Sequence, residues 1–144
     1  GTKDKKFKEL SILLRIYCIY KNLKDDYRID NFTGSPKKMV ESYCEKHKDL
    51  FDDEFIELFT NIINEIYNEL GNTPFKVPGK ISTNLKFLES FVIFCLKNNK
   101  TEGVRELYEN LLKNDDFLTA IQDTTGGDRS EKYTYRIELV KESL

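Results

Sequence analysis

The chain has 144 residues, 39% hydrophobic and 33% charged, with a formal net charge of −2. That length fits one domain able to bury about two-thirds of its unfolded surface, and the eight Tyr and ten Phe argue against disorder. Near-balance of Lys and Arg against Asp and Glu excludes any overall electrostatic drive toward nucleic acid or an anionic membrane, leaving only local patches.

Apolar residues at Phe7, Leu10, Leu14, Tyr17 and Cys18 predict an amphipathic helix from Lys3 to Asn22, which Ile12, Leu13, Ile16 and Ile19 widen until more than one side is buried. After a polar turn, Ser35 as cap and Pro36 at the first helical position predict a second helix reaching Lys48. Asp52, Asp53 and Glu54 then place acids at the positive end of a third helix, whose stripe from Phe55 to Leu70 closes at Gly71. TPFKVPGK reads as a fixed loop, and Ser82 or Thr83 caps a helix to Lys97 with Leu85, Leu88, Phe91, Val92 and Cys95 on one face. A fifth helix is expected from Thr101 to Lys113, with Gly103 weakening its first turn, and a short sixth over Phe117 to Ile121 behind Asp115 or Asp116. From Tyr133 onward the pattern fits both a strand, as in a winged-helix wing, and a helix. Ser130 as cap and the lack of any partner strand favour the helix. The expected fold is therefore all-α, a single domain over residues 1–144 with six or seven helices.

Apolar runs such as Phe91–Leu96 fall far short of the roughly 20 residues that span a bilayer, and no signal peptide is visible, so no membrane role is expected. Cys18, Cys44 and Cys95 form an odd set in apolar or helical contexts, expected as buried thiols in a reducing cytoplasm. The opening Gly1-Thr2 points to a tag remnant or to a fragment of a longer protein.

Five constellations invite a chemical reading. TTGGDRS (124–130) carries two glycines but neither the phosphate-loop spacing nor a preceding strand, and reads as a connector. Cys44 and His47 share a helix face, yet Cys18 and Cys95 are solitary and distant, unlike the close pairs of zinc sites. His47, the single histidine, sits on a solvated face, poorly placed for nucleophilic catalysis. The acid pairs Asp25-Asp26, Asp52-Asp53 and Asp115-Asp116 fall in turns or at helix starts, where caps explain them better than metal-dependent hydrolysis. Lys3, Lys5, Lys6, Lys8, Lys37 and Lys38 make the first third basic and are the candidate contacts to nucleic-acid phosphate. No catalytic, cofactor or metal residues are assigned.

FKELSILLRIYCIY, YNELGNTPFKV, ISTNLKFLESFVIFCL and the closing DDFLTAIQDTTGGDRSEKYTYRIELVKESL occur in an order that resembles the helical C-terminal half of the GmrSD-type restriction endonuclease N-terminal domain family. Its structural signature matches at Arg15, Gly71, Phe75, Phe117, Thr124 and Arg136; where that family tends to place a glutamate before the L-x-L-R stretch, this chain has Ser11. The resemblance implies a helical part of a DNA-defence protein, inactive by itself and without cofactor. Its implied partners are an N-terminal nucleotide-binding domain, whose D-G-Q-Q-R segment does not occur here, an HNH-type nuclease domain, and DNA. It also implies that Thr124 and Asp128 cap the last helix while Arg136 anchors packing through charged hydrogen bonds. A free-standing helical interaction module is the alternative.

Overall fold

A computed structural model describes residues 2–72 and 74–144, with side chains from Lys8 onward. Seven helices follow one another among the described residues: α1 (Thr2–Lys21), α2 (Pro36–Lys46), α3 (Asp53–Leu70), α4 (Leu85–Lys97), α5 (Val104–Leu112), α6 (Asp115–Gln122) and α7 (Ser130–Glu142). No strand occurs among them, only an isolated antiparallel bridge between Leu23 and Ile29. The last segment is thus helix, and the domain is all-α.

Side-chain oxygens start four of these helices. Ser35 accepts from the Lys38 amide, Asp52 from Phe55, Asn84 from Phe87 and Asn114 from Phe117, each satisfying an amide that has no partner within its helix. Asn84 and Asn114 thus take the places expected for Ser82 or Thr83 and for Asp115 or Asp116. Gly71 ends α3 at φ +83, a left-handed conformation that suits glycine. Gly103 lies outside α5, at its cap position with φ +68, so it relieves strain rather than weakening a first turn. Ser130 is the first helical residue of α7 and not its cap; Arg129 holds that position without a side-chain bond. The second helix stops at Lys46, where His47 takes the cap, two residues before the expected end.

The largest correction concerns α4. Phe87 and every residue from Glu89 to Leu96 are buried, so this helix presents no solvent face comparable to the one-sided stripe expected. Helices α7, α1, α3 and α6 surround it, α2 leans on α1, and α5 joins α3 to α6. A helix apolar all round needs cover on all sides. One aromatic cluster fills the space beside it: Phe87 meets Phe117 edge-on with centroids 5.2 Å apart, and Phe75 lies 5.2 Å from Phe91. Phe75 takes φ +67 in the loop before α4, a strained backbone for an aromatic residue, held by burial of the ring and by its carbonyl accepting from the Asn84 amide at 2.8 Å. A second cluster, Tyr17 with Phe51 and Phe55, seats α1 on the start of α3. Phe59 is only half-buried, stacked on Phe55 at 5.5 Å.

Candidate functional site

Among the described residues, buried polar groups gather across the first, fourth and seventh helices. Glu89, 2% exposed, sits in the middle of α4. One of its oxygens accepts from Arg15 Nη2 of α1 at 2.8 Å and the other from the Tyr133 hydroxyl of α7 at 3.1 Å. One turn along α7, Arg136, 1% exposed, lies over the Tyr133 ring at 4.6 Å and donates to Asp128 Oδ1 in the preceding connector at 3.0 Å. The lateral positions of α7 that carry Tyr133 and Arg136 are three apart and share one face.

Burial pushes the Glu89 carboxyl above its usual range, while Arg15 and the Tyr133 hydroxyl pull it down. Burial is the largest influence on Arg15 and works against its charge, but Glu89, Tyr133 and Asp128 together outweigh it and its pKa is raised. A guanidinium on one oxygen and a phenol on the other supply the hydrogen bonds that a carboxyl in a low-dielectric interior requires. Tyr133 is raised, first by burial and then by the Glu89 charge, so its proton stays on and donates. Nε of Arg15 and Nε of Arg136 are buried without a protein acceptor, so the network returns less stability than its ion pairs alone imply.

Four of the six signature residues from the sequence are therefore interior or part-buried: Arg15 and Arg136 in this network, Phe117 against Phe87, and Phe75 against Phe91. Thr124 is not. It is exposed and, among the described residues, makes no side-chain hydrogen bond; its neighbour Asp123 makes the turn instead, accepting from the Thr125 hydroxyl at 2.7 Å and the Thr125 amide at 2.9 Å. Those bonds hold the Asp123 carboxyl at about 2. Asp128 likewise caps nothing and serves as the acceptor for Arg136. The connector itself turns through Gly126 and Gly127 at φ +70 and +76, a consecutive left-handed pair that glycine adopts without a Cβ clash. Its carbonyls are engaged by the chain's own cations, Arg129 Nε on Gly126 at 3.1 Å and Lys132 on Thr125.

Sequence reasoning missed Glu89 and Tyr133. A signal was present in LKFLESFVIFCL, where a single carboxylate interrupts an otherwise apolar helix and demands a partner. Ser11 stands before the L-x-L-R stretch, and the acid that pairs with Arg15 comes from 74 residues away.

Of the candidate phosphate contacts, the side chains of Lys3, Lys5 and Lys6 lie outside the described residues, while Lys8, Lys37 and Lys38 are exposed. Their neighbours in the basic first third are partly neutralised: Lys21 binds Asp52 at 3.2 Å, Lys24 lies 3.7 Å from Asp30 and Arg28 2.7 Å from Asp26. Cys18 and Cys95 are buried, with burial pushing both thiols up to about 12, whereas Cys44 is only half-buried. His47 is exposed, stacked on Tyr43 at 4.0 Å with Nδ1 3.1 Å from the Tyr43 carbonyl. Among the described residues no three His, Cys, Asp or Glu side chains gather into a metal-ligating group, and no helix is long and apolar enough to cross a membrane. Asp52 and Asp53 open α3, and Asp115 and Asp116 open α6.

Comparison with known protein families, with curated proteins and with solved structures finds no match.

Proposed function

We propose that this chain is a helical, non-catalytic module of a cytoplasmic DNA-defence protein of the GmrSD type. In this reading it holds no cofactor, packs against a nucleotide-binding domain, and helps position DNA or an HNH-type nuclease. One observation carries the reading: Arg15 and Arg136, singled out near opposite ends of the chain, meet in one buried network around Glu89. Signature arginines used this way hold a scaffold together, as expected of a module whose chemistry lies elsewhere.

Fluorescence anisotropy on modified and unmodified duplexes tests the DNA part. Binding that weakens about tenfold or more between roughly 50 and 200 mM salt is expected if two or three phosphates are contacted, and Lys37→Glu with Lys38→Glu should weaken it further. Absence of binding at low salt would remove DNA from the proposal. An upstream reading frame encoding D-G-Q-Q-R would support the restriction-system context, and its absence would count against it.

A second reading, a helical protein-interaction module, is favoured by a separate observation. Ile56, Ile63 and Tyr67 of α3 are 48%, 37% and 58% exposed, an apolar row on the outside of the domain.

A further inference from the structure

We propose that the outer face of α3 is a docking surface for a basic amphipathic helix of another protein. This deepens the interaction-module reading and rests on it, not on the DNA-defence reading.

Ile56, Ile63 and Tyr67 are spaced seven and four residues apart, so they form one row along the helix axis, adjacent to the row that α3 buries with Phe55, Ile62 and Ile66. At its C-terminal end the row opens into a cleft of about 230 Å³ walled by Ile63, Ile66, Tyr67, Pro74, Phe75 and Leu88. That volume is smaller than the roughly 300–1,000 Å³ of small-molecule pockets and suits one large apolar side chain. A row followed by an anchor cleft is the form in which a groove receives the apolar face of a helix.

Charge specifies which helix. The α3 segment carries five carboxylates and no Lys, Arg or His. Asp53 and Glu57 are exposed on the side of the row that faces away from the core. Of the five carboxylates, Asp53 and Glu57 flank the row, while Glu69 is already 3.5 Å from Arg105; two copies meeting through this face would set the Asp53 and Glu57 charges of each against an acidic, cation-free helix, so a second copy is disfavoured. A helix with apolar residues at intervals of three and four and Lys or Arg on its flanks satisfies both the row and the acids.

The probe is a synthetic, fluorescein-labelled helical peptide of about 18 residues, the length of α3. It carries leucines at helical spacing, one terminal phenylalanine as anchor, and lysine flanks; a second peptide has glutamates in place of the lysines. The lysine peptide is expected to bind at least about tenfold more tightly than the glutamate peptide. Ile56→Ser with Tyr67→Ser should weaken it about tenfold or more, and Asp53→Asn with Glu57→Lys should narrow the preference. Circular dichroism melts verify that these surface variants fold. Equal binding of both peptides would overturn the basic partner while leaving an interaction module; binding of neither would overturn both. Concentration-dependent self-association in sedimentation equilibrium, abolished by the same Ile56 and Tyr67 substitutions, would assign the face to a second copy and overturn the proposal.

Discussion

Helices α3 and α4 lie side by side and bury apolar residues in common, yet they solve opposite problems. The central α4 is covered all round, so its one carboxylate must find partners inside the protein, and it takes them from α1 and α7. The peripheral α3 keeps its acids in water and leaves part of its apolar surface there too. In α4 a buried carboxylate is the exception that demands satisfaction; in α3 an exposed apolar residue is. The contrast teaches where each kind of substitution will be felt.

The largest effect belongs to the interior. Phe87→Ala removes a fully buried ring in contact with Phe75, Tyr108 and Phe117, and is expected to cost about 3–5 kcal/mol in urea melts. Next comes Glu89→Ala, expected near 3 kcal/mol, the low end for a broken buried pair because Arg15, 29% exposed, recovers some hydration. Combining it with Arg15→Ala should cost less than the two single changes together, which a double-mutant cycle will show; strict additivity would mean the pair is not coupled. Asn84→Ala, which removes the α4 cap and the bond from Asn84 Nδ2 to the Ile121 carbonyl, is expected at about 1–2 kcal/mol.

Smaller still is the acid response of Asp123. The Thr125 hydroxyl and then its amide hold this carboxyl at about 2 in the folded protein, below its unfolded value. A depressed folded pKa gives stability that is complete above the unfolded pKa, near 4, and is lost as pH falls through about 2. Carboxyl titration by NMR reads the midpoint directly, and an Asp123 midpoint near 4 would contradict the turn geometry. At the bottom of the scale, Tyr67→Ser on the outer face of α3 should stay within about 0.5 kcal/mol. Comparable losses for Tyr67→Ser and Phe87→Ala would erase the distinction between the two helices.

Much of this fold is legible in the residues because helices announce their ends locally. Ser35-Pro36, Asp52 and Gly71 mark boundaries that the structure keeps. The caps misplaced by one or two residues, Asn84 and Asn114, sit among several oxygen-bearing side chains of similar local merit. Contacts across the fold distinguish them: Asn84 also reaches Ile121, and Asn114 reaches the Ser143 hydroxyl at 3.0 Å. Periodicity also overstates burial. Phe59 fits the apolar stripe of α3 and would be expected to behave as a core residue, but neighbours cover only part of it, so Phe59→Ala should cost roughly 1–2 kcal/mol. The charged network was half visible: Arg15 and Arg136 stood out by resemblance, whereas Glu89 and Tyr133 become their partners only once three helices are assembled.

That network ties the integrity of the domain to α7: a chain without residues 133–136 would leave one oxygen of Glu89 without its phenol and part of α4 uncovered. Chains truncated before Tyr133 are therefore expected to be more protease-sensitive than chains that include α7, as limited proteolysis of the two purified forms would read.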